Sequence, residues 1–326
     1  MSITKTAIAL TSFMAFASAT ANAQRQTAAS KVAEQRMKSV VAIANTAPGK
    51  LEVWGAGTII DSRGYVLTCN HVIEDMKQIS VGFTDGQFLP ATVVFKDKAA
   101  DVALLKVNGK RDFPAVPLAP ADLKPGEAMI VIGNPSGLVF SVSAGIVSKL
   151  ADVEFNGVIY KNAIQTDSPI NPGNSGGPVF NGDGELVGMA FLKLTGKDGI
   201  AWAINGDEIE LVLARNCSAL RIAGVDHGIA LHEEVIGEGL TRRGVFVRFV
   251  DTTGHAALYK SDRILKVGIK SNGAVVQHTI ASRFDFESAL WDSNPGDKVL
   301  LTVLRGSTHI VITLTLTGNG VDRDGR

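Results

Sequence analysis

The segment Asn171-Pro-Gly-Asn-Ser-Gly-Gly-Pro178 carries the strongest indication of fold and chemistry in this sequence. A serine between glycines suits a nucleophile, because such a turn exposes the hydroxyl and can aim backbone N–H groups at the oxygen of a tetrahedral intermediate. We predict an oxyanion hole of Gly173, Asn174 and Ser175, with the N–H groups of Gly173 and Ser175 as its donors. Taken alone, the segment also fits an ordinary glycine-rich turn between strands.

A serine hydroxyl needs a base, and the base needs an orienting group. Upstream, Thr68-Cys-Asn-His-Val-Ile73 places His71 directly after an apolar strand, and Asp101 opens the apolar run Asp101–Val107. We predict that His71 takes the proton of Ser175 and that Asp101 fixes the imidazole tautomer. Each residue alone has a simpler explanation, His71 as a half-buried structural histidine and Asp101 as a cap at the start of a strand.

Short apolar runs bounded by Gly, Asp, Asn or Pro dominate the chain after residue 38, which predicts an antiparallel barrel or sandwich. A turn is predicted at Asp61–Gly64 and a helix at Gly206–Arg215. A second β-rich unit ends in a predicted hairpin of Val299–Leu304 and His309–Leu314. We predict a signal peptide (1–23), an N-terminal segment (24–37), a first domain (38–215), a polar linker (216–227), a second domain (228–317) and a tail (318–326).

Composition excludes several classes of function. The 326 residues include 32 Lys+Arg and 32 Asp+Glu, so the net charge is zero, and no basic run points to nucleic acid. The hydrophobic content of 45% is too high for a disordered chain. Two cysteines cannot form a disulfide scaffold or a four-cysteine zinc site, and the scattered histidines predict neither a metal nor a cofactor.

The first 23 residues have the pattern of a secretory signal. Lys5 is followed by an apolar stretch of about a dozen residues and by Ala21-Asn-Ala23, where small residues suit a signal peptidase. The stretch is shorter than the ~20 residues of a spanning helix, so a membrane anchor is disfavoured. We therefore expect a mature protein in a bacterial periplasm, without a membrane span after cleavage of the signal.

Several motifs together resemble the HtrA/Deg family of serine proteases over about residues 38–215. The motifs are Gly64–Ile73, Asp101–Lys106, Ile132–Pro135, Gly145–Ser148, Gln165–Pro178 and Gly199–Ile204. The resemblance implies a chymotrypsin-like double β-barrel with His71, Asp101 and Ser175 as the triad, in a chain dominated by β structure. It also implies a homotrimer and substrates that are unfolded or misfolded proteins.

The second unit is similar, more weakly, to the PDZ domains that follow the protease in this family. The resemblance implies a PDZ-like α+β domain in which Gly228, Ile229 and Ala230 bind the carboxylate of a C-terminal peptide. Two positions depart from the usual pattern: Ser261 replaces a glycine before Asp262, and His227 stands where an apolar residue is common. These departures bear on the choice of ligand.

Two further expectations concern cysteines and specificity. Cys69 and Cys217 could pair in an oxidising compartment, but we favour two buried thiols. The base of the specificity pocket falls near Pro169, where no acidic side chain would attract Lys or Arg. Together with Ala201 and Ala203, this predicts a small or medium aliphatic residue before the scissile bond.

Three functions are compatible with the sequence. The first is an extracytoplasmic serine endopeptidase for protein quality control. The second is a regulatory protease that cuts one signalling protein. The third is a holdase or adaptor in which the protease fold is idle; the intact set of His71, Asp101 and Ser175 speaks against it, because binding alone does not require that set.

Overall fold

The structure is a computed structural model that describes residues 27–109, 111–119, 122–134, 140–155, 157–193, 199–236, 242–250, 257–271 and 274–318. The predicted signal peptide lies outside these ranges, as does the predicted tail beyond Gly318. Within the described ranges, the chain forms two closed six-stranded barrels and a third sheet. No helix in these ranges is long and apolar enough to cross a membrane.

The first barrel follows the predicted run of short strands. Its strands are β1 (Val40–Ala47), β2 (Lys50–Asp61), β3 (Tyr65–Thr68), β4 (Ile79–Gly82), β5 (Phe88–Asp97) and β6 (Val102–Val107), closed in the order β1-β2-β3-β6-β5-β4. The predicted turn joins β2 to β3, where Gly64 has a φ of 91° and donates its N–H to Asp61 O at 2.9 Å. Residues 102–105 are 0% exposed, so β6 is covered on both faces and reads as a continuous apolar run.

The second barrel has the same antiparallel construction. Its strands are β7 (Ala128–Gly133), β8 (Ser141–Phe155), β9 (Val158–Thr166), β10 (Pro178–Asn181), β11 (Leu186–Lys193) and β12 (Ala201–Asn205), closed in the order β10-β11-β12-β9-β8-β7. Alternate residues of β7 serve two cores. Met129 and Val131 pack inside the second barrel, whereas Ile130 and Ile132 join a core shared with the first barrel. Because side chains alternate along a strand, one face of β7 fills the second barrel and the other face packs against the first.

Three helices flank the barrels in the described residues. Helix α1 (Ala28–Arg36) precedes a 3₁₀ turn (Met37–Ser39), and a four-residue helix α2 (Asn70–Ile73) follows β3. Helix α3 (Gly206–Asn216) confirms the helix predicted at Gly206–Arg215; Asn205 caps it by accepting from Asp207 N at 2.9 Å.

The third sheet forms the PDZ-like α+β unit. Its strands are β13 (Ile229–Ile236), β14 (Arg242–Val250), β15 (Arg263–Ser271), β16 (Ala274–Thr279), β17 (Lys298–Arg305) and β18 (Thr308–Thr315), in the order β13-β14-β15-β17-β18 with β16 beside β15. The predicted C-terminal hairpin is confirmed, since β17 and β18 pair from Lys298 with Thr315 to Arg305 with Thr308. Where the structure describes this unit, it contains two helices, α4 (Ala219–Ala223) and α5 (Arg283–Ala289), and α5 packs on the sheet through Phe286 and Ala289.

The segment predicted as a linker, 216–227, is part of the second unit. It contains helix α4, and Ala219 and Val225 are fully buried in that unit's core. Asp226 also exchanges backbone hydrogen bonds with Thr317, at 2.8 and 2.9 Å. The prediction of a polar linker was wrong, because composition does not show that two of its apolar residues are buried by strands that lie far along the chain.

The PDZ-like unit is docked on the first barrel through Trp291. The Trp291 ring lies 4.5 Å from that of Tyr65 in β3, and its indole N–H donates to Cys217 O at 2.9 Å. Arg63 lies beside both rings and binds across the interface, to Asp292 Oδ2 at 2.8 Å and to Ser288 O at 2.9 Å. The second unit therefore contacts the β2–β3 hairpin, whose strand β3 leads to His71.

We expect Trp291→Ala to lower the free energy of unfolding by about 3–5 kcal/mol, because a large buried ring is lost and Cys217 O loses its donor. Trp291→Phe keeps a ring against Tyr65 and is expected to cost less. Urea unfolding followed by circular dichroism measures both. A loss below about 1 kcal/mol for Trp291→Ala would contradict the structural role of this contact.

Candidate active site

Strand pairing brings His71 and Asp101 together. Strands β3 and β6 pair antiparallel with Thr68 opposite Ala103, and continuing that register places Asn70 and His71 beside Asp101. Asp101 Oδ2 lies 2.7 Å from His71 Nδ1, and Asp101 Oδ1 accepts from His71 N at 2.9 Å. One carboxylate therefore fixes both the ring and the backbone of the histidine.

Asp101 is held in an uncommon backbone conformation. Its φ is 55°, in the left-handed region that aspartate tolerates better than most residues. Its carbonyl accepts from Asn70 N at 3.2 Å, and its side chain is only 9% exposed, whereas that of His71 is 46% exposed. The carboxylate thus lies behind an imidazole that faces the solvent.

Ser175 belongs to the second barrel's loop before β10, yet its backbone is bound to the first barrel. Ala56 N of β2 donates to Ser175 O at 2.9 Å. The next residue, Gly176, has a φ of 82°, and a Cβ at this position would lie 2.3 Å from Ala56 O and from Thr68 Oγ1. Glycine is therefore required at 176, because any side chain would push the barrels apart.

The backbone of the loop leaves two N–H groups available. Among the described residues, neither Gly173 N nor Ser175 N donates to an acceptor of the protein. Asn174 N is engaged, because it donates to Asn171 O at 2.9 Å. Of the predicted oxyanion hole, Gly173 and Ser175 thus keep free donors, whereas Asn174 shapes the loop without offering its N–H.

His71 and Ser175 line the same open cleft between the barrels. This active-site cleft has a volume of about 420 Å³ and is lined by Trp54, His71, Val72, Pro172, Gly173 and Ser175. The three residues predicted as a triad are thereby assembled from both barrels, with Asp101 buried behind His71.

Asn134 is a positioning residue to which the sequence analysis gave no role. It is buried at the end of β7, and its side-chain N–H₂ donates to Gly55 O at 3.0 Å and to Val41 O at 3.3 Å. Its backbone N–H donates to Gly173 O at 3.1 Å. Asn134 therefore links the first barrel to the loop that carries the free N–H groups. A polar residue directly after an apolar strand was the available signal.

Both cysteines are buried free thiols, as favoured from the sequence. Burial, together with the nearby Asp101 carboxylate, raises the pKa of the Cys69 thiol well above its ordinary value. Possible ligand atoms of Cys69, His71 and Asp101 lie within 4.8 Å of one another. The hydrogen bonds between His71 and Asp101 account for this closeness, and a protonated thiol is a poor metal ligand.

The loop predicted to bind a peptide carboxylate already has internal partners. Gly228 N donates to Asp226 Oδ1 at 2.8 Å, and Ile229 N donates to His227 Nδ1 at 3.2 Å. Ala230 pairs with Phe249 within the sheet. The N–H groups of Gly228 and Ile229 are therefore not open, and a carboxylate would have to displace Asp226 and His227 to reach them.

The side chain of His227 is bound by the buried carboxylate of Glu287. The two side chains meet at 3.2 Å, and Glu287 Oε2 also accepts from Ala219 N at 2.7 Å. Burial acts to raise the pKa of Glu287, but the contact with His227, the hydrogen bond from Ala219 N and the positive charge of Arg283 together outweigh it, so this pKa lies below its ordinary value. The loop, α4 and α5 are thereby joined by one buried carboxylate.

Comparison with known proteins agrees with this geometry. The family model of the trypsin-like peptidase domain matches residues 55–189. The periplasmic serine endoprotease DegP of Salmonella typhimurium is 33% identical over 280 residues, which cover 82% of this chain and 57% of DegP. A probable periplasmic serine endoprotease of Halomonas elongata, described as DegP-like, is 34% identical over 80% of this chain and 56% of its own length. The chain thus spans a little over half the length of these relatives.

Solved structures give the same result. A crystal structure of the serine endoprotease from Yersinia pestis has a TM-score of 0.51 and 28% identity, covering 90% of this chain and 98% of that one. The HtrA-type protease AlgW with a tripeptide has a TM-score of 0.52 and 26% identity, covering 90% of this chain and 98% of that one.

The two closed barrels, with a histidine and an aspartate on one and a serine loop on the other, define a trypsin-like peptidase domain. The PDZ-like unit that follows narrows this class. The chain is a homologue of the HtrA/DegP serine proteases.

We expect Gly176→Ala to lower the free energy of unfolding by about 2–4 kcal/mol, because the new methyl group would overlap Ala56 O at a positive φ. Gly182→Ala is the matched control. Its Cβ would meet Ala128 Cβ at an ordinary 3.6 Å, and its φ is not positive. Thermal unfolding of both variants tests the requirement; equal stabilities would show that the barrels tolerate a side chain at 176.

Proposed function

We propose that this protein is a serine endopeptidase that cleaves peptide bonds through an acyl-enzyme formed on Ser175. The observation that carries the proposal is the convergence of three groups on one cleft: Ser175, the His71 ring held by Asp101 at 2.7 Å, and the free N–H groups of Gly173 and Ser175. Binding alone would not require a nucleophile, an oriented base and two free donors at one place.

In the first half-reaction, Ser175 Oγ attacks the carbonyl carbon of the scissile bond. His71 Nε2 takes the hydroxyl proton, and Asp101 accepts from Nδ1–H, which fixes the tautomer and stabilises the imidazolium. The carbonyl oxygen becomes an oxyanion that accepts from Gly173 N and Ser175 N. The intermediate then collapses, and His71 returns the proton to the leaving amine.

In the second half-reaction, a water molecule takes the place of the amine. His71 removes its proton as it attacks the acyl carbon, and the same N–H groups bind the second oxyanion. Collapse releases the new carboxyl terminus and returns the proton to Ser175 Oγ. Every proton that moves and every charge that develops in these two half-reactions has a protein group to receive it.

We further propose that the substrates are unfolded or misfolded proteins of the periplasm. The open cleft suits an extended chain better than a folded surface. The relatives are named periplasmic, which agrees with the predicted signal peptide. The homotrimer, and the aliphatic preference inferred from Pro169, Ala201 and Ala203, stay predictions from the sequence.

The PDZ-like unit is proposed to bind peptide tails of these substrates. Binding at Gly228, Ile229 and Ala230 stays a prediction, and it requires Asp226 and His227 to release the N–H groups they now accept from. Helix α5 lies beside this loop and also contacts the β2–β3 hairpin. Arg63 of the hairpin donates to Ser288 O of α5, and Trp291, just after the helix, packs against Tyr65. Peptide binding near α5 would therefore act on a surface connected to His71.

We expect the mature chain, residues 24–326, to cleave unfolded casein and to be labelled by a fluorophosphonate. Ser175→Ala should abolish both, because the acyl-enzyme cannot form. Asp101→Asn should lower kcat roughly 10⁴-fold, because an amide does not hold the reactive tautomer of His71.

Labelling without casein cleavage would favour the regulatory protease that cuts one substrate. If folded wild-type protein shows neither signal, including after addition of C-terminal peptides, the endopeptidase proposal is wrong and the holdase or adaptor remains.

A further inference from the structure

Trp54 is a large exposed aromatic residue in the active-site cleft. The sequence contains three tryptophans; Trp202 and Trp291 are each 5% exposed, whereas Trp54 is 40% exposed. Trp54 lines the cleft beside His71, Val72 and Ser175. Its position beside His71 and Ser175 makes the exposed indole available to a bound substrate.

A β-bulge aims this side chain. Strands β1 and β2 pair Ile43 with Gly55 and Ala44 with Val53, so Trp54 is the extra residue in β2. Bulges bend a strand locally and re-aim one side chain, and they are common beside active sites. The next residue, Gly55, lies against Ser175, since a Cβ on Gly55 would lie 2.9 Å from Ser175 O.

The chemistry decides which half of a substrate meets Trp54. His71 must return a proton to the leaving amine, so the leaving half of the peptide has to lie beside the His71 ring. Val72 directly follows His71 in α2, and it lies against the residue after Trp54, since a Cβ on Gly55 would meet Val72 Cγ1 at 2.7 Å. Trp54 and Val72 both line the cleft, so we assign the wall that they form to the leaving half of the substrate. The acyl half is turned toward the N–H groups of Gly173 and Ser175, which bind its oxygen.

We propose that Trp54 determines specificity for the residue directly after the scissile bond, the P1′ residue, and selects aromatic and large aliphatic side chains. The wall is apolar, formed by Trp54 and Val72, so a charged P1′ side chain would lose hydration without gaining a partner. An aromatic P1′ ring would stack on the indole and gain both burial and ring contact. The inference rests on the proposed endopeptidase function.

The test is a series of internally quenched peptides that differ only at P1′, which is Gly, Asp, Leu or Phe. For wild-type protein, we expect kcat/KM for Phe to exceed that for Gly by roughly tenfold and that for Asp by more. Trp54→Ala should bring the Phe-to-Gly ratio close to one, and Trp54→Phe should retain most of it. Phe88→Ala is the matched control, because Phe88 is a similarly exposed aromatic (38%) of the same barrel that does not line the cleft.

The ratios separate specificity from structure. If Trp54→Ala lowers kcat/KM for every peptide by one factor, the Phe-to-Gly ratio is unchanged, Trp54 acts only in packing and the inference is wrong. An equal loss of the ratio in Phe88→Ala also overturns the inference. If wild-type protein neither cleaves a peptide nor is labelled by a fluorophosphonate, the proposed function itself fails and takes the inference with it. If the protein is labelled but cleaves none of the peptides, the proposed function stands and the inference is wrong, because no P1′ preference is expressed.

Discussion

The hydrogen bond from Ala56 N to Ser175 O joins the two halves of the site. It connects a strand of the first barrel to the nucleophile loop of the second. The histidine and aspartate lie on one barrel and the serine on the other, so their relative position depends on how closely the barrels approach. Gly176 sets that approach, since a Cβ there would lie 2.3 Å from Ala56 O. The glycines around the serine therefore serve barrel packing as well as access for a substrate.

Buried polar contacts then fix the details that barrel packing leaves free. Asn134 donates to two carbonyls of the first barrel and to the carbonyl of Gly173, whose own N–H has no acceptor among the described residues. The Asp101 carboxylate fixes the orientation of His71 in a similar way, because it accepts from both the ring and the backbone N–H of His71. Removing one partner of such a network leaves buried groups unpaired, which costs about 1–3 kcal/mol each. These hydrogen bonds orient His71 and the nucleophile loop without any contribution from a substrate.

Sequence reasoning succeeded where the signal was local. The turn at Asp61–Gly64, the helix at Gly206–Arg215 and the final hairpin each follow from a few neighbouring residues. The nucleophile segment predicted the serine loop for the same reason. The grouping of His71 and Asp101 with that loop came from several motifs in order. The structure places His71 and Ser175 on one cleft, with Asp101 bound to His71 behind it.

Long-range contacts account for what the sequence could not show. The segment 216–227 looks polar, but distant strands bury Ala219 and Val225 within it. The side chain of Asp226 accepts a hydrogen bond from Gly228 N because the loop folds back on itself, and composition does not reveal this. The bulge at Trp54 arises from a register shift between two strands, and neither strand alone contains that information.

The central claim is that the packed barrels present a preformed oxyanion hole made by two N–H groups. A crystal structure with a peptide boronate bound to Ser175 tests it most directly, because the tetrahedral boronate resembles the intermediate. We predict that a boronate oxygen accepts from Gly173 N and Ser175 N, at about 2.7–3.1 Å, while Asn174 N stays on Asn171 O. A boronate oxygen turned away from both N–H groups, or a loop rebuilt so that Asn174 N binds it, would contradict the account.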